Sequence, residues 1–146
     1  AEIFSFIQSA VSLPVYFDYG DFGYNMLDVY FTLAIKLNKQ ASYLNFIDDQ
    51  IKKTSKDEHS YRKEYFLVRK VAFLNAIGNF SDAQALLQEN LDIVDIRRGE
   101  VSRLVEKNDF SSAKQLIVEG IELARKKDHP GTVRQWEEAL LHIAVL

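Results

Sequence analysis

Apolar residues recur at helical spacing along most of this 146-residue chain. From Ala83 the apolar positions fall at i, i+3, i+4, i+8 and i+11, and a stripe starting at Ala113 has the same spacing. Three further stripes start at Ala41, Tyr61 and Val133. The chain has no Asn-Gly or Asp-Gly hairpin turn and no sustained apolar–polar alternation, which would indicate strands. The sequence therefore predicts an all-α protein whose helices each bury one face.

Helix-start and helix-stop signals divide the chain into eight predicted helices. Ser55, Ser81 and Thr132 are each followed three residues later by Glu or Gln, the pattern of a capping box. Asp21 is a further predicted N-cap, and Gly20 and Gly23 are interpreted as turn residues. The predicted helices are about 2–12, 22–37, 40–53, 57–77, 81–90, 93–107, 111–127 and 132–145.

Two segments of the second half repeat at an interval of about 30 residues. Asn79–Leu91 aligns with Asp109–Ile121, and the Phe, Ser, Ala, Leu and Glu positions coincide. We expect Phe80 and Phe110 to fill the corner between two antiparallel helices. Ala83 and Ala113 are expected to be buried where a preceding helix crosses. Lys39–Ile51 is a weaker third copy.

The repeated segment resembles the second helix of a tetratricopeptide repeat, although its interval is shorter than the usual 34 residues. The resemblance implies an α-α superhelix, a solenoid of about four antiparallel helical hairpins. We expect one domain over 1–146. It divides into aromatic-rich N-terminal hairpins over 1–73 and two repeat-like hairpins over 74–146.

A second resemblance covers about 59–145. Its motifs are His59–Tyr65, Asp109–Ala124 and His129–Leu141, which together look like the helical region that follows the zinc finger in bacterial SWIM-finger proteins. That finger requires three Cys and one His, and this chain has no Cys. The resemblance thus implies a bacterial protein whose metal module lies outside these residues. We expect the chain to be a fragment, since it begins at Ala1 and ends on apolar Leu146.

Catalytic and metal-binding patterns are not evident in the sequence. Glu138 and His142 share a helical face, but the zinc-protease and diiron helix motifs are absent, so a surface ion pair or helix-end charge is the simpler interpretation. His129 is interpreted as a turn residue. Adjacent Asp48 and Asp49 point about 100° apart on a helix and cannot flank one substrate atom. We therefore predict no enzyme activity, no cofactor and no metal site.

Basic residues form short clusters, although the net charge is -3. Residues 36–73 carry a net charge of +4, which allows a nucleic-acid groove as an alternative to a solvated helix face. We favour the solvated face, because acidic residues separate most of the clusters. The clusters are Lys52, Lys53 and Lys56; Arg62 and Lys63; Arg69 and Lys70; Arg97 and Arg98; and Arg125, Lys126 and Lys127.

Half of the aromatic residues fall within the first 31 positions. Most are expected in the core. The loop-like stretch from 16 to 22 is also typical of a partner-binding surface, because aromatic side chains with polar tips anchor many interfaces. The candidate partner residues are Tyr16, Phe17, Tyr19 and Phe22.

Trp136 is assigned to the core, packed against the preceding helix, rather than to ligand stacking. Leu141, Val145 and Leu146 continue outside its stripe. The last helix should therefore present a second apolar face, either exposed or covered in a dimer contact.

The leading functional hypothesis is a non-catalytic protein-interaction or scaffold module built from helical repeats. The partner is another protein or other domains of the same chain. The alternatives are a nucleic-acid-associated accessory domain of a zinc-finger protein and an enzyme with an unrecognised site. The longest uncharged run contains Pro14 and is too short for a membrane span, so we expect no membrane contact. The absence of Cys favours a reducing compartment, and we expect a cytoplasmic protein. The partner's identity and the biological process are not encoded in any motif.

Overall fold

A computed structural model describes residues 2–18, 21–54 and 61–146. Helix accounts for 84% of these residues, and no strand occurs among them, which confirms the all-α prediction. The described helices are α1 (Glu2–Val11), α2 (Val15–Asp18), α3 (Phe22–Lys36), α4 (Gln40–Thr54), α5 (Tyr61–Ala76), α6 (Phe80–Glu89), α7 (Val94–Glu106), α8 (Phe110–Lys126) and α9 (Pro130–Ala144).

Eight of these helices match the predicted ones to within two residues at every end that the structure describes, and the predicted helix start at 57 lies outside the described residues. The short α2 was not predicted, because four residues are too few to show helical periodicity. Two predicted capping boxes are wrong: α6 begins at Phe80 rather than after Ser81, and α9 begins at Pro130 rather than after Thr132. Asp21 precedes α3 but makes no capping hydrogen bond through its side chain. The box at Ser55 lies outside the described residues.

Four of the connections between helices share one geometry. Each has three residues between helices, with the middle residue at positive φ, and the third residue donates its amide to a carbonyl five positions earlier at 2.8–2.9 Å. This is a Schellman motif, which satisfies carbonyls at the helix end. The positive-φ residues are Asn38, Gly78, Asn108 and Asp128.

The third residue of each turn directly precedes the following helix, and its carbonyl accepts a hydrogen bond from the amide four residues later. The carbonyls of Asn79 and Asp109 accept hydrogen bonds from the amides of Ala83 and Ala113, both at 3.1 Å. Ala83 is 2% exposed and Ala113 is 0% exposed, so their predicted burial at equivalent positions is confirmed. Lys39 has the same relation to Tyr43, which supports the weaker third copy.

Contacts divide the chain into two compact units, Ala1–Ala83 and Gln84–Leu146, and the division falls inside α6. In the first unit α3 packs against α1, α2 and α4, and α4 packs against α5. In the second unit α8 packs against α7 and α9. The predicted division at 73/74 therefore lies ten residues before the observed one. Likeness to a tetratricopeptide solenoid stays a prediction.

The two units have different cores. The first core is rich in aromatic rings, among them Tyr30, Tyr43 and Phe73, which are 0% exposed. Aliphatic residues and Trp136 form the second. Across the described ranges, no helix combines the length and the apolar content that a membrane crossing requires.

Candidate functional site

The predicted aromatic partner segment folds as α2 and the start of α3. Tyr16 and Phe17 are half-buried and pack against the aromatic core of the first unit. The Phe17 ring meets the rings of Tyr24 and Phe66 edge-on, at centroid distances of 5.5 and 6.4 Å. These two candidates therefore contribute to packing as well as to the surface. Tyr19 lies outside the described residues.

Gly23 allows this segment to pack closely against α3. A Cβ atom at Gly23 would lie 2.7 Å from the carbonyl oxygen of Tyr16 and 2.9 Å from Cδ1 of Phe17. Only glycine permits so close an approach. The interpretation of Gly23 as a turn residue is wrong, since it is a buried residue of α3. Gly20 lies outside the described residues.

Phe22 is the one described candidate that is largely exposed. Its side chain is 59% exposed, and its ring lies 5.5 Å from that of Tyr16. Further exposed apolar side chains precede it in α1, in α2 and in the segment between these helices. We name this set the N-terminal apolar surface: Ile3, Phe6, Leu13, Val15 and Phe22.

Sequence reasoning missed Ile3 and Phe6 as surface residues. They lie three positions apart on α1 and so share a face, while Phe4 and Val11 are buried on another. A signal was present in the sequence, because α1 is apolar around more than one face. A helix of that kind can be covered on both sides, and the sequence does not say which side is left open.

The charge near this surface is acidic. No Lys or Arg precedes Lys36, and the acidic residues up to that point include Glu2 and Asp21, both exposed. The charge of Asp28 is balanced within the first unit, because its carboxylate accepts a hydrogen bond from Arg69 at 2.7 Å. Glu2 and Asp21 directly precede Ile3 and Phe22 of the N-terminal apolar surface in the chain, and we call them its acidic border.

In most of the basic clusters, at least one residue forms an ion pair with a carboxylate of the same chain. Lys70 contacts Asp48 at 2.7 Å, Arg98 contacts Asp95 at 3.2 Å, and Arg125 contacts Glu137 at 3.1 Å. The side chain of Arg97 is only 6% exposed. It donates hydrogen bonds to the carbonyls of Leu91 and Leu116, both at 2.8 Å. These contacts leave fewer cations for phosphate groups than the sequence suggests. Lys56 lies outside the described residues.

The residues assigned to the repeat are not equivalent in every respect. Phe110 is half-buried against the core of the second unit, but Phe80 is 66% exposed. The predicted corner role of Phe80 is therefore wrong. Both phenylalanines are the first residues of their helices, and burial at that place depends on which neighbouring helix covers it. Trp136 is 4% exposed and packs in the second core, as predicted.

The histidines and carboxylates do not converge. Glu138 pairs with Arg134 at 3.1 Å, and His129 precedes α9 as its N-cap residue. His142 lies in the last turn of α9, where positive charge is favoured. His59 lies outside the described residues. Within the described ranges, no group of three or more His, Asp or Glu residues could hold a metal ion.

The last helix presents the predicted second apolar face. Leu141 is 69% exposed, and Val145 and Leu146 are more exposed still. The predicted exposure of these side chains is confirmed. A dimer contact there stays a prediction.

Comparison with known proteins gives no family for the chain. No protein-family model, no curated protein and no solved structure matches it. The resemblance to the helical region of SWIM-finger proteins stays a prediction.

Proposed function

We propose that the chain is a non-catalytic protein-interaction module built from helical hairpins, and that it binds its partner through the N-terminal apolar surface. One observation carries this proposal: large apolar side chains are exposed on α1, α2 and the start of α3, next to half-buried aromatic anchors. Exposed apolar groups of this kind favour association, since burying them removes apolar area from water.

The anchors are held in place before binding. Gly23 lets Tyr16 and Phe17 pack tightly on α3, and the ring of Phe22 rests 5.5 Å from that of Tyr16. A side chain that is already ordered loses little conformational entropy when a partner covers it. Such residues are typical of the few that dominate binding energy at an interface.

The acidic border specifies the partner further. Glu2 and Asp21 are exposed, and no cation occurs in the first 35 residues. A partner segment with apolar residues flanked by Lys or Arg complements this arrangement. Binding should therefore weaken when the ionic strength is raised.

Photo-crosslinking in cells of the source organism tests the proposal. A benzophenone amino acid replaces either Phe6 or Phe80, since both are phenylalanines with 66% exposure. The proposal predicts a discrete crosslinked protein from position 6 that is absent from position 80. Identical products from both positions, or no product from position 6, would contradict it.

A second matched pair tests the surface by mutation. Ile3→Asp should abolish the crosslink from position 6, whereas Leu141→Asp should leave it unchanged, although both wild-type residues are 69% exposed. Circular dichroism of both variants checks that the helices are retained. Salt-dependent binding of DNA or RNA at submicromolar concentration would instead favour the accessory-domain alternative.

A further inference from the structure

A cleft separate from the N-terminal apolar surface opens within the first unit. Its volume is about 210 Å³, and its lining comes from the end of α1, the segment after it, and helices α2 to α5. None of Ile3, Phe6, Leu13, Val15 and Phe22 lines it. The cleft is therefore a different feature from the proposed partner surface.

One side of the cleft is aromatic. Phe17, Tyr24 and Phe66 line it, and Phe17 meets each of the other two rings edge-on. Edge-on packing fixes the rings relative to one another, so the wall is formed without a ligand. Val11 and Pro14 extend the apolar lining.

Another part of the lining is polar and cationic. Lys53 and Arg62 line it together with the neutral side chains of Gln50 and Thr54, and no carboxylate occurs among its described lining residues. Arg62 donates a hydrogen bond to the carbonyl oxygen of Phe17 at 3.5 Å. Lys53 makes no ion pair within the described part of the chain. A cleft lined by aromatic rings and a lysine ammonium suits an amphiphilic anion.

We propose that this cleft binds a small monocarboxylate with a one-ring aromatic body. The carboxylate faces Lys53, and the ring packs against Phe17, Tyr24 and Phe66. The size agrees, because a cavity of about 150 Å³ is enough for benzene, and 210 Å³ leaves room for a carboxylate group as well.

Titration of the full chain with phenylacetate, followed by amide chemical shifts in NMR spectra, tests this proposal. We expect saturable shifts at the lining residues, with a dissociation constant in the millimolar range. Phenylacetamide has the same ring without the charge and should bind about fivefold more weakly, which is the upper range for an exposed ion pair. Acetate has the charge without the ring and should not saturate.

Two lysine variants test whether Lys53 is the residue that binds the carboxylate group. Lys53→Met should remove the preference for phenylacetate over phenylacetamide. Lys52→Met should retain it, because Lys52 is an exposed neighbour that does not line the cleft. The proposal is overturned if the amide binds as tightly as the acid, if Lys53→Met behaves as the wild type, or if no saturable shift maps to the cleft. Phe6 lies outside the cleft, so Phe6→Ser should leave phenylacetate binding unchanged. This result is expected whether or not the proposed function holds.

Discussion

The indole of Trp136 packs directly against Gly120. A Cβ atom at Gly120 would lie 3.0 Å from both Cε2 and Nε1 of Trp136, and 3.0 Å from Cδ of Arg97. Gly120 thus gives α8 a flat site on which a residue of α9 and a residue of α7 both pack. The close approach of α9 to α8 depends on this missing side chain.

The Gly120→Ala variant should therefore unfold more easily. Its added methyl group meets two packed side chains, and overpacking of this kind costs about 1–3 kcal/mol, which outweighs most or all of the gain in helix propensity of up to about 1 kcal/mol that Ala also brings here. Gly99→Ala is the matched control, because a Cβ atom there meets nothing within 4 Å. It should gain up to about 1 kcal/mol from helix propensity. Urea unfolding followed by circular dichroism measures both; equal stability of the two variants would contradict the packing described.

The fluorescence of Trp136 should be shielded from iodide in the native protein. It is the only tryptophan, and its side chain is 4% exposed. A quenching constant several-fold below that of the urea-unfolded chain is expected. Equal quenching in the two states would place the indole in solvent and remove Trp136 from the core.

Enlarging Ala83 or Ala113 should destabilise the chain in both cases. Each is the buried fourth residue of a turn-linked helix, so Leu at either position should lower the free energy of unfolding by about 1–3 kcal/mol. Ala85→Leu, at an exposed position of α6, serves as the control and should change it by less than about 0.5 kcal/mol. The repeat alignment fails if only one of the two buried sites is sensitive.

Stability should fall as the pH rises above 10, because burial raises the pKa of Tyr30 to about 12. Below pH 10 the phenol is protonated in both the folded and the unfolded chain, so it contributes no pH dependence. Between about pH 10 and 12 only the unfolded chain loses the proton, which lowers the free energy of unfolding by a few kcal/mol, on the order of 3 kcal/mol. Burial also raises the pKa of Tyr43 and Tyr65, which adds to the loss.

Tyr30→Phe tests that assignment. The Tyr30 hydroxyl is buried with no hydrogen-bond partner within the described structure, so removing it should leave stability at pH 7 unchanged or raise it by about 1 kcal/mol. The variant should also lose less stability than the wild type between pH 10 and 12. Unfolding curves measured across that range decide the matter, and a steeper loss in the variant would refute it.

Arg69 should matter more for stability than an exposed arginine. Its side chain is 17% exposed, it pairs with Asp28 at 2.7 Å, and its guanidinium lies 5.5 Å from the Tyr65 ring centre. Arg69→Met should lower the free energy of unfolding by about 1–2 kcal/mol, since the paired and stacked guanidinium is lost. Arg134→Met, which removes an exposed pair with Glu138, should change it by less than about 0.5 kcal/mol.

Much of the fold could be predicted because helix periodicity is a local property. The stripes from Ala83 and Ala113 identified their helices and the burial of both alanines. The helix starts were less accurate, because the turns at Gly78 and Asp128 place the next helix immediately after a Schellman motif. A nearby Ser or Thr that fits a capping box is then simply a residue of the first turn.

The candidate surface could be predicted only in part. The sequence by itself determined that α1 to α3 carry more apolar and aromatic residues than one buried face requires, and that no Lys or Arg precedes Lys36 in the last turn of α3. Only the tertiary structure decided that Tyr16 and Phe17 pack inward over Gly23 while Ile3, Phe6 and Phe22 stay exposed. The reason is physical: spacing along a helix specifies which residues share a face, but exposure depends on which other helices cover that face.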